Sequence, residues 1–479
     1  MKPALPLFLT AALAGCSVPI VAPQPQQTVA ARFSSATPVS TATGNATANT
    51  GLDMGWWSRI GDAQLTELLL LAQANSPDLR TAAANVMSAR AQARQSSADQ
   101  YPAVTGQASA TRSRTEGMAA TDSSSALVDA TWEVDLFAKA ANTARASRLR
   151  SRASEADYAG AYVTLSAEVA DTYMDYRACK LAEGVYREAL SSQRQTLTAT
   201  GDLVDLGLSP ASEQALARAN VASAEISLES QRTDCALVAQ SMATLVGAPQ
   251  DRIRAILAKG GGLPAAKPFR VTSVPSDMLR QRSDVLSAEL EFAASLKDLR
   301  VAQSELYPSL TLGGTVTASS PQSWSFGPAL SLPIFNAGAA KANVRKVNAD
   351  AIAAGETYRA TVLSAVEEVE NALTRLNGAN RSLGSAQVLV SQYQRYFAAV
   401  DEDWKAGGTT LLDREDARRQ LQSAQLTRID QRETLLRQWI ALYKAVGGGW
   451  QRPAAEATEA ADAVATQTAQ ATTLQKKDS

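Results

Sequence analysis

The chain has 479 residues, of which 45% are hydrophobic and 19% charged, and its formal net charge is -1. This near-neutral balance gives no indication of nucleic-acid binding. The sequence contains no histidine, which removes the commonest general base and metal ligand. After the N-terminus, no apolar run is long enough for a membrane-spanning helix. We therefore expect a protein that is not an enzyme and that has no metal site, no cofactor and no nucleic-acid partner.

The N-terminus has the features of an export signal. Lys2 precedes an apolar stretch from Ala4 to Ala14, and the small residues before Cys16 resemble the lipobox of bacterial lipoproteins. We expect residues 1–15 to be a signal peptide and Cys16 to carry acyl chains such as palmitate, which anchor the chain to a bilayer. Ser17 follows instead of Asp, so nothing indicates retention at the inner membrane. The alternative is an ordinary signal peptide with an incidental cysteine.

The lipidated N-terminus and a flexible linker occupy residues 16–55, which are rich in Pro, Gln, Thr, Ser and Ala. From Trp56 the residues favour helix: a short amphipathic helix, then one from about Asp78 to Gln100. Two stretches of alternating residues follow, at about 103–112 and 125–135, and predict a hairpin of two strands.

A long helix is predicted next, because no proline interrupts the strong helix formers from about Ala138 to Thr200. Such a helix would be about 90 Å long, and its apolar spacing is that of a coiled coil. The chain turns before Gly207, and Ser209-Pro210 supplies an N-cap and a first-turn proline for a helix that reaches about Leu245. The glycine runs at 260–262 and 447–449 indicate flexible linkers.

The second half of the chain repeats this plan. Tyr307-Pro308 stands 206 residues after Tyr101-Pro102, and Gly407 stands 200 residues after Gly207. We expect a tandem duplication. Its predicted parts are a first structural repeat at 56–258, a linker at 259–274, a second repeat at 275–450 with strands at about 309–317 and 324–333, and a disordered tail at 451–479.

Each predicted hairpin has one apolar, partly aromatic face and one small, hydroxylated face. Strands of about ten residues with this alternation are typical of a transmembrane β-barrel. The alternative is a soluble hairpin packed against a helix. In the barrel interpretation, the following residues face lipid, with the two tryptophans near the membrane interfaces: Val128, Ala130, Trp132, Leu310, Leu312, Trp324, Phe326 and Leu330.

Two cysteines are placed symmetrically about the first predicted helical turn. Cys179 and Cys235 each lie 28 residues from Gly207, on opposite arms of the hairpin. If the turn is symmetric, the sulfurs lie at the same height and within bonding range, and an oxidising periplasm favours a disulfide. Two buried free thiols are the alternative.

Several segments resemble one protein family. They are Trp56-Trp57, PSDMLRQRSDV (Pro275–Val285), LYPSLTL (Leu306–Leu312) and FGPALSLPIFNAG (Phe326–Gly338). In this order they resemble the TolC-like outer-membrane factors of tripartite efflux systems, in the lipoprotein subgroup that works with resistance-nodulation-division transporters. Ser283 stands where the family usually has proline, and Ala337 where it often has glycine.

This resemblance implies a mainly α fold with a transmembrane β-barrel portion. Each chain would contribute two long helical hairpins and four strands, and a homotrimer would form a twelve-stranded barrel on an α-helical tunnel. The implied function is an outer-membrane channel, a passive duct that exports small molecules such as drugs. The implied partners are a periplasmic adaptor protein, an inner-membrane transporter and outer-membrane lipid.

Without the resemblance, the strand count alone does not determine the oligomeric state. Four strands cannot close a barrel, so several copies must pool their strands, but a dimer, a trimer and a tetramer all satisfy this requirement. Metal-ion efflux and type I protein secretion are alternative functions of such a channel. A periplasmic lipoprotein adaptor is a rival of another class, but it would normally have one helical hairpin between two β-rich halves.

The resemblance also places a periplasmic gate at the second hairpin turn. Asp413 and Asp416 match aspartates that form carboxylate rings at the tunnel tip of the family, where three copies should raise the carboxylate pKa. Ser212 and Glu213 hold the corresponding place in the first repeat. Thr409 replaces a basic residue of some members, so Arg414 is the substitute for a salt-bridge latch. The ordinary alternative for Asp413 is a capping box with Thr410. The sequence does not tell which compound is exported.

We expect Cys16→Ser to abolish labelling of the protein by a palmitate analogue, because the acylated thiol is removed. The unlipidated protein should keep part of its function, since the barrel itself inserts in the membrane. Labelling that persists in Cys16→Ser would contradict the lipidation site.

Overall fold

The computed structural model describes residue 57 and residues 60–264, 282–319, 322–448 and 450. The predicted signal peptide, Cys16, the N-terminal linker, residues 265–274 of the predicted inter-repeat linker and the C-terminal tail lie outside the described residues.

Eight helices and four strands make up the described elements. The helices are α1 (Ala63–Asn75), α2 (Pro77–Ala98), α3 (Lys139–Asp205), α4 (Ala211–Val246), α5 (Gln250–Ala258), α6 (Ser283–Ser304), α7 (Ala339–Lys405) and α8 (Leu411–Ala445). The strands are β1 (Ala103–Ser113), β2 (Thr121–Val134), β3 (Ser309–Ala318) and β4 (Ser323–Ser331). None of the described helices is both long and apolar enough to cross a bilayer.

The two longest helices define the length of the molecule. Helices α3 and α7 each have 67 residues. At 1.5 Å per residue each spans about 100 Å, somewhat more than the predicted 90 Å. Each pairs with a shorter partner, α3 with α4 and α7 with α8. The result is two long helical hairpins.

The four strands form one antiparallel sheet in the order β1-β2-β3-β4. Directly paired residues carry their side chains on the same face of a sheet. Val128 pairs with Val316 and Val316 with Trp324, while Trp132 pairs with Leu312. The same register places all eight residues that were predicted to contact lipid on one face of the sheet.

The opposite face of the sheet is hydroxylated. Hydroxyl pairs join neighbouring strands at Ser109–Ser125 (2.9 Å), Thr111–Ser123 (2.7 Å) and Thr315–Ser325 (2.7 Å). The two faces therefore differ in chemistry along their whole length. Trp132, whose Nε1 donates to the Gln100 carbonyl at 3.1 Å, lies at the helical end of the sheet, and Trp324 lies at the other end.

The largest apolar core lies midway along the helices, where α1, α4 and α5 pack around α3. Tyr173 is fully buried there and donates its hydroxyl proton to Asp62, which also caps α1 through the backbone N–H groups of Gln64 and Leu65. Helix α5 has nine residues and was not expected from the sequence. Its Ile253, Ile256 and Leu257 are buried in this core.

Two local interpretations of the sequence are wrong. Gly260 and Gly448 are closely packed instead of marking flexible linkers: a Cβ at Gly260 would overlap the buried Arg177 guanidinium, and one at Gly448 would overlap Val163. Helix α4 begins at Ala211, so Pro210 is its N-cap instead of its first helical residue. No side chain caps the start of α4: the Ser209 hydroxyl donates to the Glu213 carboxylate, and Glu213 N donates to the Pro210 carbonyl at 3.0 Å.

A disulfide joins the arms of the first hairpin. It links Cys179 of α3 to Cys235 of α4, with the Cα atoms 5.6 Å apart and a sequence separation of 56. The symmetric turn at Gly207 thus brings the two cysteines to one height.

Replacing both cysteines by Ala should lower the free energy of unfolding by about 3–4 kcal/mol, because the unfolded chain regains the freedom that the 56-residue separation had lost. Urea unfolding followed by circular dichroism measures the loss. Mass spectrometry of the unreduced protein is the independent check: two thiols that alkylate without reductant would refute the bond.

Candidate periplasmic gate at the hairpin tips

The two hairpins turn with the same backbone geometry. Gly207 and Gly407 both have a left-handed conformation, with φ of 71° and 78°. In each turn a backbone N–H reaches back to close the helix end: Leu208 N donates to the Leu203 carbonyl and Gly408 N to the Asp403 carbonyl, both at 2.8 Å. Glycine adopts this conformation without steric cost, and the pattern is that of a Schellman turn.

Asp413 caps the helix that leaves the second turn. Thr410 accepts a hydrogen bond from Asp413 N at 3.2 Å, and the Asp413 carboxylate accepts from Thr410 N at 3.3 Å and from the Thr409 hydroxyl at 3.1 Å. Within one chain this is the capping box named above as the alternative. The hydrogen bonds from Thr410 and Thr409 lower the Asp413 pKa. The increase expected for a ring of three carboxylates requires further copies.

Asp416 lies on the same exposed face, one turn further along α8. It forms an ion pair with Arg419, and both side chains are more than half exposed. Exposed pairs of this kind contribute at most about 1 kcal/mol, so the pair does not fix Asp416 in place. The Asp416 carboxylate therefore remains accessible to solvent at the tip.

Ser212 and Glu213 occupy the first tip. Ser212 is exposed, and the half-buried Glu213 accepts a hydrogen bond from Ser209. The hydrogen bonds of Glu213 thus lie within its own turn, where they order the start of α4.

Arg414 is the centre of a buried network directly behind the second tip. Its side chain is 7% exposed. It donates to Asp401 of α7 at 2.6 Å, to Thr196 of α3 at 2.7 Å and to its neighbour Glu415 at 2.9 Å. The network therefore ties the second hairpin to the first.

Glu415 and Asp401 complete the network from opposite sides. Glu415, 3% exposed, accepts hydrogen bonds from Gln193 and Thr196 of α3. Burial opposes the ionisation of Asp401, but hydrogen bonds from Lys405 and Arg414 outweigh burial and lower the Asp401 pKa. Asp401 thus stays ionised opposite the guanidinium.

Aromatic rings enclose the Arg414 guanidinium. Its central carbon lies 4.7 Å from the Trp404 ring and 5.7 Å from the Phe397 ring. Such cation–π contacts favour a desolvated arginine. From the sequence, Arg414 was expected only as a substitute latch. Glu415, Gln193 and Thr196 were not expected, because the fold brings residues together that are more than 200 positions apart in the chain.

Comparisons with known proteins agree with this architecture. The family described as outer membrane efflux protein matches residues 68–248 and 274–448. The pyoverdine export outer membrane protein OpmQ of Pseudomonas putida is 32% identical over 424 residues, which cover 83% of this chain and 89% of that protein. The toluene efflux pump outer membrane protein TtgC of Pseudomonas putida is 29% identical over 482 residues, or 96% of this chain and 98% of that protein.

A solved structure of the outer-membrane channel OprN has the same fold. It superimposes with a TM-score of 0.75 at 28% sequence identity, over 87% of this chain and 100% of that chain. The predicted fold class, with long helical hairpins and a four-stranded contribution to a barrel, is confirmed.

We expect Arg414→Met to lower the free energy of unfolding by about 3–5 kcal/mol, because it leaves the buried Glu415 carboxylate without the cation that it pairs with. The matched control is Arg419→Met, which removes the same charge from the exposed pair with Asp416 and should cost at most about 1 kcal/mol. Urea unfolding of both variants, followed by circular dichroism, measures the difference. Equal losses would contradict a structural role for the buried network.

Proposed function

The chain belongs to the outer membrane efflux protein family, and we propose from this membership that three copies assemble into one channel across the outer membrane. The chain is an outer-membrane efflux channel subunit of a tripartite efflux system. The observation that carries the proposed assembly is the sheet, which has four strands and two open edges. Unpaired strand edges are not tolerated in lipid, so the strands of several copies must close on one another.

The chemistry of the two sheet faces supports this assembly. The face that contains Val128, Leu312 and Trp324 meets lipid, and the hydroxylated face lines the lumen. Leu330, Phe326 and Trp324 are 69%, 73% and 78% exposed on a single chain. Apolar side chains this exposed are suited to an outward band in a membrane.

The helical hairpins form the tunnel below the barrel. At about 100 Å they are far longer than a single domain core needs, and they extend into the periplasm. Cys16 provides a second attachment to the outer membrane through its acyl chains. A periplasmic adaptor and an inner-membrane transporter complete the assembly, as in the tripartite systems of the family.

The hairpin tips form the gate. Asp413 and Asp416 of three copies converge there, and Arg414 holds the second hairpin against the first in the closed state. Three like charges at each level attract cations. Ser212 and Glu213 contribute the corresponding surface of the first hairpin.

The exported compounds are small organic molecules. The relatives OpmQ and TtgC are named for pyoverdine export and toluene efflux, two compounds of very different chemistry. One family thus serves compounds of different chemistry, which supports a passive duct without a selective pocket. Deletion of the gene, followed by growth on drugs and metal salts and by assays of protein secretion, distinguishes this proposal from metal-ion efflux and from type I secretion.

Single-channel recordings test the gate. We expect Asp416→Ala and Asp413→Ala/Asp416→Ala to show weaker cation selectivity and less block by divalent ions than the parent channel. Asp205→Ala, which removes a carboxylate from the end of α3, is a control for the loss of charge alone. Parent selectivity and conductance in both gate variants would mean that these aspartates are only helix caps.

Arginine substitutions test the assignment of the sheet faces. Ala130→Arg should cost about 2–4 kcal/mol near the midplane of the bilayer and reduce the yield of trimer in the outer membrane, since Ala130 lies between the levels of the two tryptophans. Thr131→Arg is the matched control, since Thr131 lies at nearly the same depth on the opposite face and pairs with Gly313. An equal yield of trimer from the two variants would contradict the assignment.

A further inference from the structure

A row of carboxylates borders the contact between the two hairpins, beside the largest apolar core. Asp171 and Asp175 lie four residues apart and therefore on one face of α3. Glu433 of α8 completes the row from the opposite helix. Arg437 of α8 forms an ion pair with Asp175 and another, at 3.2 Å, with Glu433. The Arg437 guanidinium is thus engaged by two of the three carboxylates.

Asp171 is the third carboxylate of the row. Its Oδ1 atom is buried and accepts no hydrogen bond from any described group. The described positive charges that act on Asp171 are Arg437 and Lys444 of α8, and both side chains are exposed. The described negative charges are Glu168 of its own helix and Glu433 of α8. When Asp171 is ionised, a buried oxygen is therefore left without a donor, which costs free energy.

Protonation of Asp171 removes this cost. Burial raises the pKa of Asp171 to about 6, and the positive charges of Arg437 and Lys444 oppose the increase only in part. In water the ordinary pKa of the group is 3.8, so the proton binds more tightly while α3 and α8 are in contact. The proton therefore stabilises the contact fully below pH 3.8, and this stabilisation is lost as the pH rises through about 6.

The contact beside Asp171 is also the link between the two hairpins. In the described part of the chain, α8 is the only helix of the second hairpin that packs against the first, and it packs against α3. Leu436, Ile440 and Tyr443 of α8 are buried there in the core around α3. Nearer the tip, the Arg414 network joins the same two helices.

We propose that Asp171 makes the attachment of the second hairpin pH-sensitive: α8 is held firmly against α3 while the Asp171 carboxyl is protonated, and is released more readily once the carboxyl ionises. The inference rests on the proposed function and deepens it, because α8 also carries Asp413 and Asp416 of the gate. Acid thus holds the gate hairpin in place, and a neutral medium favours its release. Asp401 of the Arg414 network stays ionised over the same range, because hydrogen bonds lower its pKa, so the attachment near the tip keeps its charge pair.

Thiol labelling of the full-length protein in outer membranes measures the opening of the contact. Ile440→Cys places a thiol on the buried side of α8 that packs against α3, while Cys179 and Cys235 are joined and do not label. Division of the maleimide labelling rate by that of glutathione at the same pH removes the ionisation of the thiol itself. We expect this normalised rate to rise about tenfold from pH 5 to pH 7.5, as linkage requires for a carboxyl whose pKa is 3.8 in water and about 6 in the contact.

Three variants serve as controls for this measurement. Asp171→Asn keeps the shape of the side chain but cannot ionise, so it should remove the rise and hold the rate at or below the parent value at pH 5. Glu168→Gln removes an exposed carboxylate one turn away and should keep the rise. Leu442→Cys, at a residue that is buried against α7 instead of α3, should show no rise. Circular dichroism checks that each variant is folded.

Two results of the labelling would overturn the inference. One is a normalised rate at position 440 that is equal at pH 5 and pH 7.5. The other is a rise that persists in Asp171→Asn, which would assign the pH response to another group. Neither result depends on conduction, so neither bears on the proposed channel.

Single-channel recordings connect the contact to the gate. They use the Asp413→Ala/Asp416→Ala background, which removes the tip carboxylates as a source of pH dependence. We expect openings to be more frequent at pH 7.5 than at pH 5, and the addition of Asp171→Asn to abolish this difference. Equally frequent openings at the two pH values would overturn the role of the contact in gating. A protein that does not conduct at all would instead overturn the proposed channel, and the labelling result would then decide the pH-sensitive contact by itself.

Discussion

Backbone hydrogen bonding at the free sides of β1 and β4 is the constraint on which the rest of the molecule depends. Water can satisfy such groups outside a membrane, but hydrocarbon cannot. The sheet has four strands in an open order, so one chain leaves both outer strands unpaired. The remaining architecture follows from the need to pair these two outer strands.

The two repeats have the same backbone plan but are held together by different forces. In the first hairpin, Cys179 and Cys235 fix the arms covalently. The equivalent residues 200 positions later, Ala379 and Leu435, belong to an apolar cluster between α7 and α8. At this height the arms of the second hairpin are held by apolar packing instead of a covalent bond. The buried network of Arg414 then connects this second hairpin to the covalently fixed one near the tip.

The sequence was informative wherever a periodic pattern determines structure. Alternation with period 2 fixes which strand residues share a face, and the register of the sheet leaves the eight apolar positions on one side. Tyrosine–proline pairs and helix lengths likewise revealed the duplication. Shorter elements were harder to predict from the sequence. Helix α5 has nine residues between Pro249 and a glycine run, which are too few for a clear periodic signal. The first residue of α4 was misplaced by one, because Pro210 is the N-cap and its carbonyl accepts the hydrogen bond from Glu213 N.

The buried network of Arg414 behind the second hairpin tip could not be predicted from the local sequence. The segment from Asp413 to Asp416 consists of four consecutive charged residues, which normally indicates a solvated helix face. Its two central members are buried because Thr196 and Gln193, more than 200 residues earlier, accommodate them. Such long-range complementarity has no periodic signature. For Asp413, by contrast, both interpretations could be stated from the sequence, and a single chain contains the capping box.

The two arms of each helical hairpin are close together in sequence, and this influences the order in which the protein folds and assembles. Each long helix finds its main partner across a turn of a few residues, and the Cys179–Cys235 bond spans only 56 positions. Contacts that are local in sequence form quickly, whereas pairing between distant strands is slow. The helical hairpins can therefore fold early, before any contact with other copies. The outer strands cannot complete their pairing at that stage. For this protein, assembly of the ring and entry of the sheet into the membrane are then a single late event that begins from prefolded hairpins.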